Sequence, residues 1–397
     1  DLRIGNYLYL ELSSPIADQQ EVQVLNPDAV LWAEDARFAA TADPLRHSPA
    51  IHVNQEGFLP AFPKKAMIGY YLGSLGELDI PAPAGFALVN AATGAQVYQG
   101  SLAARPDTGY NYTPLPYQQV WEADFSGFAT PGEYRLVVPG LGASLRFRID
   151  EGVGLAFARA YALGLYHQRC GTSNALPYTR FTHTACHTNL AEIPTMAFTN
   201  TQYFIAQASA DYTNNPRHTA PQLKDVASSL YPFVNQGRIN VSGGHHDAGD
   251  YSKYTINSAA LAHLLMFAVD ALAGVGELDN LGIPESGGGI SDLMQEAKWE
   301  ADFLAKMQDA DGGFYFLVYP RDRKYENNVL PDQGDPQVVW PKTTAVTAAA
   351  VAALAQCASS PHFQQQYPQA AGNYLAKAKL GWQFLTNAIA THGQDGA

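Results

Sequence analysis

At Asp150 the hydrophobic period of this chain changes, and that change limits what it can fold into. Before it, apolar residues alternate in short runs. Leu2-Arg3-Ile4, Tyr7 to Leu12, Val22-Gln23-Val24, Ala66 to Leu72 and Phe86 to Val89 read as strands, the last followed by a turn over Asn90 to Gly94. Tyr134, Leu136 and Val138 then face one way, Pro139-Gly140 turns the chain, and Leu145, Phe147 and Ile149 alternate back as a hairpin. Short strands punctuated by Pro and Gly predict an all-β sandwich over residues 1–150. No cluster of catalytic residue types falls there, so its expected role is structural or docking.

After Asp150 the period becomes helical. Gly152 to Gln168, Ile256 to Leu272, Ser291 to Gln308, Lys342 to Ala358 and Asn373 to Ala390 read as helices. Ile256 to Leu272 is apolar nearly all round, so a helix buried on both sides is expected. Ser291 to Gln308 carries a stripe of Leu293, Ala297, Glu300, Leu304 and Met307, apolar apart from Glu300. Long connections, notably Gly171 to Leu190 and Asp309 to Pro341, lie between helices. The pattern predicts an all-α barrel of helical hairpins over residues 151–397, with its cleft built by loops.

Composition narrows the partners. With 397 residues, 47% of them hydrophobic and only 15% charged, the chain is long and apolar enough for two or three cores. Its net charge of -13 argues against nucleic acid and anionic membrane surfaces, both of which repel it, while a neutral polymer is permitted. No apolar run reaches the ~18 residues of a membrane helix. The chain begins at Asp1 without an initiator Met or a signal peptide, which suggests a processed sequence.

Chemistry concentrates in Gly243-Gly244-His245-His246-Asp247-Ala248-Gly249-Asp250-Tyr251-Ser252-Lys253-Tyr254. The glycines permit turns closed to other residues and leave two carboxylates uncovered. Asp247 and Asp250 could approach one water from two sides, one orienting it and the other taking its proton. A plain turn capping the helix that follows is the alternative reading, and the motif alone leaves both open. Cys170, Cys186 and His187 supply three of the four ligands of a closed tetrahedral zinc site, and His246 is an attractive fourth. A Cys170–Cys186 disulfide would staple the same loop, and spacing does not separate the two. His183 and His245 are rival ligands. The third cysteine, Cys357, lies in an Ala-rich run and reads as a small buried residue.

Taken together, these residues resemble glycoside hydrolase family 9, in the subgroup with an N-terminal immunoglobulin-like domain. Ile51 to Phe58, Pro131-Gly132-Glu133-Tyr134 and Phe147 to Asp150 look like that domain. Tyr166 to Gly171 and Ala185-Cys186-His187 look like zinc-loop elements. Gly243 to Tyr254 is similar to the family's Gly-Gly-aromatic-His-Asp-Ala-Gly-Asp pattern, and Lys298-Trp299-Glu300 and Lys306 to Gly313 to its next helix and loop.

The resemblance implies an (α/α)6 barrel and inverting hydrolysis of β-1,4-glucan, polymeric or oligomeric. Asp250 would be the general base, Asp247 its partner on the water, and Cys170, Cys186, His187 and His246 the ligands of a structural zinc; calcium is a second ion to consider. His245 stands where many family endoglucanases carry an aromatic residue. It is expected, with Tyr254 and Trp340, at the sugar subsites. Endo action is expected, with an exo-acting β-glucosidase or glucosaminidase of the same family as the alternative, and a secreted protein. A zinc-dependent hydrolase using His245, His246 and Asp247 is disfavoured by the two thiolates, and a non-catalytic glycan-binding module by the Asp pair. The chain ends at Ala397 after about half the helices of such a barrel, so the general-acid Glu is expected beyond it; Glu300 and Glu326 do not replace it.

Overall fold

The hairpin after residue 130 shows how the first part of the chain builds its core. The structure, a computed structural model, describes residues 7–80, 85–105, 119–194, 231–248, 251–321 and 336–394. The chain divides into two compact units, Asp1–Phe157 and Ala158–Ala397. Among the described residues, ten strands lie in the first: β1 (Glu21–Val24), β2 (Phe38–Thr41), β3 (Ile51–His52), β4 (Lys65–Ile68), β5 (Gly85–Asn90), β6 (Gln96–Ala104), β7 (Trp121–Asp124), β8 (Gly132–Val138), β9 (Gly142–Ala143) and β10 (Phe147–Ile149). β1 and β2 pair with each other; the others run in the order β10-β8-β5-β6-β7-β4-β3, with β9 beside β8.

The long β6 makes the sandwich. Its first residues pair with β5 and its last three with β7, so one strand passes between the two layers. Between the layers lie Ile68, Leu88, Phe125, Leu136, Phe147 and Ile149, all buried. Phe58 packs edge-on against Phe125 and Phe147 at 5.1 and 5.4 Å.

Two expectations for this unit need correction. Tyr7 to Leu12 forms no strand, and Tyr7 is 78% exposed; its alternation has no second strand to bury against. Leu2-Arg3-Ile4 lies outside the described residues. Leu145, expected inward with Phe147, is exposed. The return strand is split: β9 places Gly142 opposite Val138, whereas β10 places Phe147 opposite Tyr134, a register one residue apart. Such a slip turns side chains to the other face.

Six helices occur among the described residues: α1 (Val153–Gln168), α2 (Thr255–Ala271), α3 (Asp292–Lys306), α4 (Thr344–Ser359), α5 (Pro361–Gln366) and α6 (Pro368–His392). Starts follow local chemistry. Thr343 accepts the Val346 N–H with its hydroxyl before α4, and Ser360 accepts that of Phe363 before α5, which opens on Pro361. In the second unit α2 packs on α3 and α4, and α4 on α6. Met266, Phe303, Leu304, Phe314, Leu354, Phe363 and Tyr374 fill the space between them.

The second unit is not purely helical. β11 (Ala191–Ile193), β12 (Gly237–Ile239), β13 (Lys253–Tyr254), β14 (Leu317–Pro320) and β15 (Gln337–Val339) form a sheet ordered β12-β11-β15-β14-β13. These runs of two to four residues sit inside what reads as loop, too short for any period to register. Nor is α2 buried on both sides. Ile256, Leu264 and Phe267 lie along one exposed stripe, while Ala259, Ala262, Met266 and Val269 face the core.

Candidate active site and metal centre

The C-terminus of α1 and the Gly-rich segment are latched together by their backbones. Cys170 N–H donates to Gly244 O and His246 N–H to Gln168 O, each at 2.8 Å. Arg169 and His245 thus form an antiparallel bridge. The latch needs glycine at position 244, where φ is +69° and a Cβ would stand 2.8 Å from the Phe303 ring. Trp299 Nε1 and Lys306 Nζ, both on α3, donate to Gly244 O and Ser242 O at 3.0 and 2.7 Å.

One product of the latch is a buried Cys/His cluster. The ligand atoms of Cys170, Cys186, His187 and His246 all lie within 4.8 Å of one another, and Cys186 Sγ is 3.2 Å from His246 Nε2. A tetrahedral shell with metal–sulfur near ~2.3 Å and metal–nitrogen near ~2.0 Å has edges of roughly 3.3–3.8 Å, so the group is of the right size for an ion. His187 Nδ1 is buried without a hydrogen bond, while its Nε2 meets Gln337 Oε1 at 3.2 Å, the arrangement of a ligand steadied from behind. All three cysteines are free. Burial pushes the Cys170 thiol up, yet its hydrogen bond with Cys186 and the charges of Lys253 and His187 outweigh that and hold it well below the usual thiol range. Cys186 is pushed up by its bond to Cys170 and by burial.

The other product is a buried ion network. His245 meets Glu296 Oε2 at 3.0 Å through Nε2, and Glu300 through a short contact at Nδ1. Arg169 in turn donates to Glu296 at 2.8 Å and to both carboxylate oxygens of Glu285 at 2.8 and 3.0 Å, with its guanidinium 5.0 Å from the Trp299 ring. Burial lowers the His245 pKa, but Glu300 and Glu296 override it and raise the group to about 9, so it is an imidazolium at neutral pH. Glu296 is held below its ordinary value: burial pushes it up, and His245 and Arg169 more than compensate.

A family model described as "Glycosyl hydrolase family 9" matches residues 157–396. The chain belongs to that family. A second model, "Cellulase N-terminal ig-like domain", matches residues 46–143, in keeping with the β-rich first unit. Endoglucanase D of Acetivibrio thermocellus is 30% identical over 340 residues, covering 85% of this chain and 45% of that protein. Cellulose 1,4-beta-cellobiosidase of the same organism is 26% identical over 371 residues, covering 88% and 37%. A solved metagenome-derived glycoside hydrolase family 9 endoglucanase has a TM-score of 0.63 at 27% identity, covering 85% of this chain and 54% of that one. A structure described as a Zn-binding triple mutant of GH family 9 endoglucanase J30 has a TM-score of 0.60 at 27% identity, covering 83% and 53%. This family 9 chain therefore spans about half the length, or less, of these relatives.

The site residues expected of a family 9 chain fall in different places. Asp247 is exposed, its N–H donating to Ser252 O at 2.8 Å and its carboxylate receiving Asn257 Nδ2. Asp250 and Glu326 lie outside the described residues. His245, expected at a sugar subsite, is buried, and both ring nitrogens are occupied by glutamates. Trp340, expected there too, is buried, packed against Tyr319 at 5.8 Å with Leu317 and Val338. Tyr254 is half-buried edge-on to Phe316 at 5.9 Å. Glu300, at 0% exposure beside His245, has no access to substrate. Sequence reasoning missed Arg169, Glu285, Glu296, Lys253 and Gln337. Only the spacing of Glu296 and Glu300, one helical turn apart on α3, carried a signal.

Proposed function

We propose that the protein is an inverting glycoside hydrolase that cleaves β-1,4-glucan chains internally. The observation that carries this is the pose of Asp247. Gly244, His245 and His246 before it are buried and latched, and Asp247 is the first residue to emerge, with its carboxylate oriented by Asn257. A carboxylate on a rigid base suits the holding of a water, and Asp250 is the residue we assign as the base that takes its proton. Tyr251, with a left-handed φ of 58° and its ring edge-on to His246 at 5.2 Å, ties this stretch to the Cys/His cluster.

In an inverting reaction base and acid stand about 6.5–9.5 Å apart on opposite faces of the sugar, leaving room for the water. Asp247 and Asp250 belong together on the water side. Glu296 and Glu300 are consumed by His245 and Arg169 and do not supply the acid. The (α/α)6 barrel is the architecture we assign to the catalytic domain, and the endoglucanases among the relatives support internal cleavage of a polymer. A polymeric substrate implies secretion. No described helix is long and apolar enough to cross a membrane.

For the Cys/His cluster we assign zinc, held by Cys170, Cys186, His187 and His246. Two thiolates and two imidazoles make a closed shell, and the relative described as Zn-binding supports the choice. Such an ion supplies rigidity, tying Gly244–Asp247 to α1 and to the Cys186 loop. Among the described residues no second cluster of this kind is found, so calcium rests on resemblance alone.

The test is the anomeric course of hydrolysis. Full-length enzyme on a soluble β-1,4-glucan should release α-anomeric ends first, seen by proton NMR, and Asp250→Asn should abolish release while leaving thermal unfolding unchanged. Retention of the β-anomer, or near-normal turnover by Asp250→Asn, overturns the assignment.

A further inference from the structure

Lys253 has no part in the chemistry above, yet its ammonium lies at the back of the Cys/His cluster. The side chain is 0% exposed. Nζ donates to Cys170 Sγ at 3.0 Å, to Gly243 O at 2.9 Å and, through a short contact, to Val241 O. It sits 4.2 Å from the centre of the Phe303 ring. An ammonium has three N–H donors, and these three acceptors use all of them. Only the sulfur among them can carry charge, and a buried cation without a counter-charge is costly.

We propose that Lys253 is a positioning residue that couples the metal centre to the segment bearing Asp247. Toward the metal, its N–H···S bond drains charge from the Cys170 thiolate and fixes the direction of that ligand. Toward the active site, it clamps the carbonyls of Val241 and Gly243, the two ends of the turn that leads into Gly244–Asp247. The metal-bound thiolate is the permanent counter-charge of the buried ammonium, so each half stabilises the other. Partners of this kind behind a metal ligand alter affinity by roughly 10–100-fold. The inference rests on the zinc assignment above.

Cobalt(II) in place of zinc gives the readout, because a cysteine-bound cobalt ion shows a sulfur-to-metal charge-transfer band. Metal-free wild type and Lys253→Met, both as full-length protein, are titrated with cobalt(II) against a chelator. Lys253→Met should bind about 10–100-fold more weakly. Its band should move to lower energy, since sulfur relieved of a donor gives up charge more readily. Wild-type affinity and an unshifted band in folded Lys253→Met overturn the proposal and leave the metal assignment standing. If wild type itself shows no two-thiolate tetrahedral spectrum, both fail. Should Lys253→Met not fold, wild type labelled with 15N at lysine Nζ decides. The slowly exchanging Lys253 resonance must move between metal-free and metal-loaded protein, and a resonance that stays put overturns the coupling.

Discussion

Cys170 N–H donates to Gly244 O at 2.8 Å, and with the bond from His246 N–H to Gln168 O it joins the end of α1 to the segment that presents Asp247. The side chains at and beside the bond then divide. Cys170 and His246 face the metal cluster, while Arg169 and His245 face the glutamates of α3 and its preceding loop. The segment that presents Asp247 is thus held by the Cys/His cluster on one side and an ion network on the other.

The first consequence concerns the metal. About one zinc per chain should be found by elemental analysis. Stripping it with a strong chelator should lower the melting temperature before it lowers turnover, because the ion supplies rigidity and no reacting atom. Cys186→Ser should behave like the chelated enzyme. Loss of activity at an unchanged melting temperature would place the ion in the chemistry.

Gly244 gives a steric test of the latch. Its φ of +69° disfavours any other residue, and a Cβ would press on the Phe303 ring at 2.8 Å. Gly244→Ala should cost roughly 2–4 kcal/mol from left-handed strain and overpacking together. Adding Phe303→Leu should return the packing part only. Urea denaturation of the two variants would show it; full recovery in the pair would mean the backbone is not strained.

What could be read in advance was set by how local each signal is. Inward alternation of Tyr134, Leu136 and Val138 is a property of one strand, and the three are buried as expected. Leu145 failed because a one-residue slip between β9 and β10 depends on how both meet β8. The helices announced themselves, whereas the five-stranded sheet is assembled from runs of two to four residues spread from Ala191 to Val339. At the site, cysteines and histidines are rare enough to suggest a ligand set from spacing. Arg169 with Glu296, or His245 with Glu300, pairs residues far apart in a chain where Arg and Glu have many solvated roles. Charge pairing across such distances leaves no trace in a single sequence.

Asp309 and Lys342 set an acid limit on stability. The Asp309 carboxylate is buried and accepts Lys342 Nζ at 2.8 Å and the N–H groups of Val234 and Asn235, each at 2.8 Å. Burial pushes its pKa up, but the Lys342 bond and the two backbone donors prevail and hold it below the ordinary carboxylate value. A depressed carboxylate stabilises the fold above its unfolded pKa of about 4, and that contribution fades as pH falls through the folded value. Asp309→Asn should therefore be less stable than wild type at pH 7. The gap should close only below about pH 4, as followed by thermal unfolding across the acid range. A constant gap down to pH 2 would mean that the charge of Asp309 contributes nothing.

His245 and Glu300 form the pair whose removal should show most clearly what the ion network is for. Glu300 is 0% exposed, with one carboxylate oxygen on His245 and the other without a hydrogen bond. His245→Phe leaves Glu300 buried without its cation. Breaking a buried pair from one side costs about 3–5 kcal/mol, whereas replacing both partners by apolar groups is often neutral. His245→Phe alone should destabilise by that amount, and Glu300→Leu alone should also be severe, since His245 then keeps only Glu296. The double variant should recover most of the loss, because neither partner is then left buried without the other. A double-mutant cycle measured by urea denaturation would return a large coupling energy. Additive losses would show that His245 and Glu300 act independently, and the short contact between them would then carry no energetic weight.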